Sequence, residues 1–146
     1  MARNEALFEA WARTTAYFLH ETRLPLRDRE LLILRTAWLC RAAHPWGQHV
    51  RIAHDAGLDE ATIERVTQGP DAPGWAPFDC HLLRSVDELR AGGRIADPTW
   101  QGLAQRYDHA QLLEVPALVG HYHLNAWLNN SLDVGIEPGA AGLDAR

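Results

Sequence analysis

Three residues in one stretch of the chain could together move protons. Glu30 carries a carboxylate, His49 follows nineteen positions later, and His44 lies between them, directly before Pro45. A carboxylate beside an imidazole orients the ring and raises its basicity, an arrangement used in general acid–base catalysis. The alternative is that Glu30 belongs to the charged surface run RDRE and that His49 is a satisfied core histidine. The residues alone leave both interpretations open.

Pro45 decides how this stretch folds. It lacks a backbone N–H, would clash with the carbonyl of Arg41 inside a helix, and disfavours helical angles at His44. The pattern therefore predicts a helix that ends near Ala42 or Ala43, and a second helix with Pro45 in its first turn. His44 would lie at the positive end of the second helix, where a neutral imidazole could accept or donate a proton. It could equally be an ordinary loop residue.

The spacing of apolar residues predicts helices throughout the chain. Asp28, Asp59, Asp97 and Asp108 are typical of helix starts, and Gly57 of a helix end. No convincing strand or repeat emerges, so we expect an all-α fold of about six or seven helices in a single domain, residues 1–134. Residues 135–146 are rich in Gly, Ala and Pro and are expected to form a flexible C-terminal tail. The predicted helices are 4–20, 28–43, 45–55, 59–68, 78–90, 97–107 and 108–132.

The last predicted helix carries a polar stripe. At 100° per residue, Glu114, Leu118, His121 and Asn125 share one face. The stripe could line a pocket, with His121 as a second proton-transfer group, or it could be an interface or a solvated face. The further candidates for substrate binding are Trp38, Cys40, Trp46, Tyr122 and Asn125.

Composition excludes several classes of function. The chain has 146 residues and a formal net charge of −5 without a basic cluster, so no nucleic-acid partner is expected. No apolar run approaches the roughly 20 residues of a membrane span, and no signal peptide is visible, so we expect a cytoplasmic protein without a membrane partner. Phosphate-binding and dinucleotide glycine motifs are absent, and the histidine spacing fits no metal motif, so we expect no cofactor and no metal.

The run LPLRDRELLILRTAWLCRA, followed by WGQHVRIAHDAGLDEATIERV, resembles the carboxymuconolactone decarboxylase superfamily, which includes the alkylhydroperoxidase D-like proteins. The later stretch DELRAGGRIADPTWQGLAQRYDHAQLLEVPALVGHYHLNAWLNNSLDV is similar to the C-terminal half of single-domain members. The resemblance implies an alkylhydroperoxidase D-like helical bundle, assembled as a homotrimer or homohexamer. It also implies that Glu30 and His49 are the acid and histidine of the site.

The chain departs from the peroxidase-like members of that family. Their pattern, E-x11-C-x2-C-x3-H, falls here on Ala42 and Pro45 in place of the two cysteines, so a disulfide-cycling peroxidase is not expected. Decarboxylase-like members need no cysteine, but many have an acidic residue where this chain has Pro45. We therefore expect a cofactor-free lyase, decarboxylase, isomerase or cyclase acting on a small carbonyl-, lactone- or aromatic-containing substrate. The alternative is a catalytically silent binding or structural protein with the same fold.

Overall fold

The computed structural model describes residues 4–143, and this part of the chain folds into seven helices without a strand. The predicted all-α class is confirmed. The helices are α1 (Glu5–His20), α2 (Leu26–Leu39), α3 (Ala43–Asp55), α4 (Glu60–Gln68), α5 (Pro77–Gly92), α6 (Asp97–Ala104) and α7 (His109–Ser131).

Helix α2 forms the centre of the bundle. Every residue from Asp28 to Ala37 is buried, because α3, α4, α5 and α7 all pack against it. A helix surrounded in this way presents apolar residues on all its faces, and the run Leu31–Leu34 is fully buried. The candidate acid Glu30 therefore lies in the interior of the protein and not on its surface.

The other polar side chains of α2 are paired, as buried polar groups must be. Arg35 donates to both carboxylate oxygens of Asp87, at 2.8 and 2.9 Å, and also to the carbonyl of Val66 at 2.9 Å. Asp28 accepts a hydrogen bond of 2.7 Å from the hydroxyl of Tyr107. These bonds fix α2 against α4, α5 and the segment before α7.

The break between α2 and α3 lies earlier than predicted. Helix α2 ends at Leu39, and the chain reverses at Arg41, whose φ of 51° is in the left-handed region. Helix α3 begins at Ala43, so His44 and Pro45 both lie in its first turn. Proline is tolerated there because the first amides of a helix have no partner within it.

Two of the four predicted start signals act as N-caps. Asp59 accepts from the amide of Thr62 at 2.8 Å, and Asp108 forms a capping box with Gln111. Asp28 and Asp97 instead lie inside the first turns of α2 and α6. Both helices begin after a residue without a capping side chain, so the spacing was correct but the assignment of the cap was wrong.

The last described residues, 135–143, lie against α3. The Nδ1 of His44 donates to the carbonyl of Gly135 at 2.9 Å, and Gln48 donates to Glu137 at 3.0 Å. A Cβ on Gly47 would come within 2.9 Å of the carbonyl oxygen of Ala141, so glycine is needed for this close approach. The division of the chain at residue 134 and the flexibility of the tail stay predictions.

None of the helices within residues 4–143 combines the length and the apolar character that crossing a bilayer requires.

Candidate active site

Glu30 and His49 are in direct contact. The carboxylate oxygen Oε2 of Glu30, on α2, lies 2.7 Å from Nδ1 of His49, on α3. The glutamate is fully buried and the histidine nearly so. A carboxylate can only accept a hydrogen bond, so Nδ1 of His49 carries a hydrogen, and Nε2 lies on the side of the ring away from Glu30.

Arg29 supplies the charge that a buried carboxylate needs. Its Nε and Nη2 atoms lie 2.9 and 2.8 Å from Oε1 of Glu30, the oxygen that does not contact the histidine. Arg29 also donates to the carbonyls of Phe18 and Leu19 at the end of α1. Arg29 was not among the residues predicted from the sequence, because the run RDRE is also typical of a charged surface, but a buried carboxylate requires such a partner.

Tyr122 completes a relay on the other side of the imidazole. Its hydroxyl lies 3.1 Å from Nε2 of His49, and the two rings meet edge to face. Burial and the negative charge of Glu30 raise the pKa of Tyr122, so the phenol stays protonated at neutral pH and donates to Nε2. Three helices, α2, α3 and α7, thus contribute one side chain each to the series Glu30, His49, Tyr122.

A cavity of about 360 Å³ lies beside this relay. It has the size of a small-molecule site. None of the described lining residues is acidic, and Arg51 is the one among them with a permanent charge. The wall from α3 consists of His44, Gln48, His49, Arg51 and Ile52, the wall from α7 of Tyr122, Asn125 and Asn129, and the wall from α1 of Trp11, Thr15 and Leu19.

The helical spacing held a signal for lining residues that the sequence analysis missed. His44, Gln48 and Arg51 follow steps of four and three along α3, and therefore share a face. Asn129 follows the predicted candidate Asn125 by one turn of α7. No pattern in the sequence predicts the lining residues of α1, because the residues of α1 do not indicate which other helix it packs against.

His121 and Glu114 face α1 and do not line the cavity. Nε2 of His121 lies 2.9 Å from the hydroxyl of Thr15, and its ring stacks on Trp11. Burial lowers the pKa of His121. Glu114 accepts from the hydroxyl of Tyr17 at 2.6 Å and from the hydroxyl of Thr22. The polar stripe of α7 could line a pocket, form an interface or face solvent. His121 and Glu114 form an interface between α7 and α1, whereas Asn125 lines the cavity.

Glu114 also accepts from a backbone amide, that of Arg23, at 2.9 Å. Its bonds therefore all come from the end of α1 and the turn that follows. The part of the stripe nearest the start of α7 holds α1 in place over the bundle.

Three of the proposed substrate-binding residues lie away from this cavity. The rings of Trp38 and Trp46 are 5.5 Å apart and line a smaller cavity of about 70 Å³ near Leu143. Trp46 is two residues after His44, about 200° around the helix, so it projects to the other side of α3. The thiol of Cys40 instead accepts from Arg90 at 3.2 Å. Helical rotation turns Trp46 away from the cavity that His49 lines, and Trp38 and Cys40 lie before the chain reversal at Arg41, so none of the three lines that cavity. Their assignment to substrate binding stays a prediction.

The described residues, 4–143, contain no group of three His, Cys, Asp or Glu side chains that could hold a metal ion. Cys40 and Cys80 are both free.

Comparison with known proteins identifies relatives in sequence and in fold. Residues 5–78 match the model of the carboxymuconolactone decarboxylase family. The structure also resembles the crystal structure of a protein of unknown function from Agrobacterium tumefaciens, described as a candidate antioxidant defence protein AhpD. The TM-score is 0.81 and the identity 17%, over 93% of this chain and 96% of that chain, so the likeness concerns the fold. None of the curated proteins is a match.

Proposed function

Because the chain belongs to the carboxymuconolactone decarboxylase family, we propose that it is a cofactor-independent acid–base enzyme of the decarboxylase, lyase, isomerase or cyclase type. Its substrate is a small carbonyl-, lactone- or aromatic-containing molecule. The observation that carries the proposal is the buried relay of Glu30, His49 and Tyr122 beside a cavity. A structural role alone does not require an oriented imidazole next to open space.

His49 acts as the proton-transfer group. Its Nε2 takes a proton from the substrate, and Glu30 stabilises the imidazolium that forms because their bond at Nδ1 becomes charge-assisted. Arg29 holds the carboxylate in place throughout. Tyr122 lines the same cavity as His49, and its hydroxyl, 3.1 Å from Nε2, passes the proton on or moves aside when substrate binds.

The same groups suit a decarboxylation. Departure of carbon dioxide from a carboxylate leaves an electron pair on the adjacent carbon, which a neighbouring carbonyl delocalises as an enolate. That carbon must then receive a proton. In this reaction His49 first takes a proton from solvent and then, as the imidazolium, delivers it to that carbon directly or through Tyr122, which returns the imidazole to its starting state. The reaction needs no oxidant, and its proton balance closes at one histidine.

The cavity wall supports an anionic substrate. Arg51 and Gln48 on α3 present a guanidinium and an amide to the cavity, and Asn125 and Asn129 on α7 present two further amides. Guanidinium and amide groups bind carboxylate and carbonyl oxygens. The apolar side chain of Trp11 lies across the cavity, where it would contact the carbon skeleton.

A catalytically silent binder is the alternative. Such a protein would have Glu30, His44 and His49 dispersed, or its pocket filled by tryptophans. The contact of Glu30 with His49, and the position of His44 on the same cavity, favour the enzyme. Trp38 and Trp46 pack together on the other side of α3 and do not occupy the space.

The proposal is tested by incubating the protein with carboxymuconolactone and a set of related lactone and β-keto carboxylates, with carbon dioxide release as the readout. For an accepted substrate, His49→Ala should lower kcat by about 10²- to 10⁴-fold, the usual contribution of general acid–base catalysis. His109→Ala, at an exposed position of α7, is the matched control and should retain full turnover. If His49→Ala and His44→Ala both turn over like the wild type, the proposal is wrong.

A further inference from the structure

The C-terminal segment, residues 135–143, lies against the beginning of α3 and is anchored beyond it. Leu143 is buried with the core residues. The carbonyl of Ala141 lies so close to Gly47 that a Cβ there would come within 2.9 Å of its oxygen. Because α7 fixes one end of the segment and these contacts fix the other, the residues between them are held over the first turns of α3.

Two hydrogen bonds from this segment orient side chains of the cavity. The carbonyl oxygen of Gly135 lies 2.9 Å from Nδ1 of His44, and Oε1 of Glu137 lies 3.0 Å from Nε2 of Gln48. Carbonyl and carboxylate oxygens only accept, so His44 carries a hydrogen on Nδ1 and Gln48 turns its NH₂ group towards Glu137. Both His44 and Gln48 also line the cavity beside His49.

The groups that these two side chains retain for the cavity are acceptors. Gln48 keeps Oε1, the end of its amide that Glu137 does not hold. When the ring of His44 is neutral, its lone pair is on Nε2, because the hydrogen is on Nδ1. Glu137 does not line the cavity itself and acts through Gln48.

Donors follow on the same face of α3 and on α7. Arg51 lies one turn after Gln48, about 4.5 Å further along the helix axis, and a guanidinium offers donors only. On α7, Oδ1 of Asn125 accepts from Asn129 at 2.5 Å, so the NH₂ group of Asn125 is the part of its amide left for the cavity. Along α3, the cavity wall therefore changes from acceptors to a cation.

We propose that Gly135 and Glu137 are positioning residues that make the cavity select hydroxylated carboxylates. The carboxylate binds Arg51, and the hydroxyl group donates to Gln48 or His44. A site built to accept from a hydroxyl group discriminates against the analogue that lacks it, because its acceptor is then left unpaired. The inference rests on the proposed function in one respect, namely that this cavity receives the substrate.

The first test measures the binding of two probes, 4-hydroxybenzoate and benzoate, by isothermal titration calorimetry at pH 7. Both are monoanions with the same ring, and they differ in the one hydroxyl group. The wild type should bind 4-hydroxybenzoate about two- to ten-fold more tightly, the usual value of one hydrogen bond. Equal affinity, tighter binding of benzoate or no binding of 4-hydroxybenzoate would overturn the proposal.

Glu137→Ala tests the positioning role. The amide of Gln48 is then free to turn its NH₂ group into the cavity, so the ratio of the two dissociation constants should fall to about one. Loss of the negative charge affects both monoanions alike and leaves this ratio unchanged. Glu9→Ala, which removes an exposed carboxylate from α1, is the matched control and should keep the wild-type ratio. A Glu137→Ala variant that keeps it too would overturn the role of Glu137.

The second test needs no ligand. The nitrogen chemical shifts of the neutral His44 ring, measured by NMR in the full chain, should show the tautomer with hydrogen on Nδ1. Hydrogen on Nε2 would overturn the role of Gly135. Turnover tests the proposed function separately: a chain that turns over a lactone carboxylate through His49 without a preference for the hydroxyl group would retain that function and refute this inference.

Discussion

Two acid and histidine combinations lie in the same helical bundle but in different surroundings, and we propose a catalytic role for one and a structural role for the other. Glu30 and His49 bond to each other at 2.7 Å, and His49 lines a cavity. Glu114 and His121 are also buried, but each bonds to a different residue of α1. Residue type therefore does not distinguish a site from a structural contact. The identity of the partner and the access to open space do.

The partners of the two carboxylates show this contrast most clearly. Glu30 is fully buried and has a cation, Arg29, on one oxygen and an imidazole on the other. Glu114 has only hydroxyl groups and a backbone amide as donors. The first arrangement can take up and release a proton at a neighbouring ring. The second fastens α1 and the turn after it to α7.

The largest effect is expected when Glu30 is removed. Glu30→Ala leaves the guanidinium of Arg29 buried without its carboxylate, which should lower the free energy of unfolding by about 3–5 kcal/mol. Turnover should also fall, because His49 loses the group that orients it. Urea unfolding followed by circular dichroism gives the stability. A loss below about 1 kcal/mol would mean that the ion pair is not the buried contact described above.

A smaller effect is expected at the other carboxylate. Glu114→Gln keeps the shape but leaves donors from α1 poorly matched, which should cost about 1–3 kcal/mol of stability. The kcat of the folded fraction should stay close to that of the wild type, because Glu114 does not line the cavity. A Glu114→Gln variant that keeps wild-type stability but loses turnover would contradict the structural role of Glu114.

The hydrogen bond between Thr15 and His121 should contribute less again. Thr15→Val removes it and should lower the free energy of unfolding by about 0.5–1.5 kcal/mol. Thr14→Val is the matched control: both threonines donate to the carbonyl four residues earlier, but Thr14 is exposed and contacts no histidine. Equal losses for the two variants in urea unfolding would show that the bond to His121 contributes nothing.

The smallest effect is the pH dependence that His121 brings. Burial lowers the pKa of His121 from its ordinary value of 6.5, so the unfolded chain binds the proton more readily than the folded one. The stabilisation by His121 is then full above about pH 6.5 and is lost as the pH falls through that value towards the lowered pKa.

The measurement is the difference in unfolding free energy between the wild type and His121→Gln at a series of pH values. The advantage of the wild type over the variant should shrink below pH 6.5. An advantage that stays constant, or that grows as the pH falls, would contradict the assignment of His121 as a buried neutral imidazole.

Much of the architecture could be predicted from local chemistry. Apolar spacing located all the helices, and Pro45 and Gly57 located the limits of α3 to within a few residues. The contact of Glu30 with His49 could be anticipated because the helix ends between them, so that the two helices can pack against each other. Whether that contact was a site or a surface pair could not be decided, because burial depends on the other helices.

The rest of the site depends on tertiary packing. Tyr122 reaches His49 from 73 residues away, and no local pattern fixes which α7 residue faces α3. Trp38 and Cys40 were candidates through their nearness in sequence, but the chain reverses at Arg41 and separates them from the cavity. Predicting a contact across the bundle requires the rotation of each helix about its axis. An error of a few residues at the start of a helix changes that rotation by a large angle.

The most direct test of the central claim compares two histidines by the same substitution. His49→Gln and His121→Gln are assayed for kcat on the best carboxylated lactone, with urea unfolding to confirm that both are folded. We expect at least a 100-fold loss of kcat for His49→Gln and a kcat within a few-fold of the wild type for His121→Gln. Equal losses at the two positions, or a His49→Gln variant that turns over like the wild type, would contradict it.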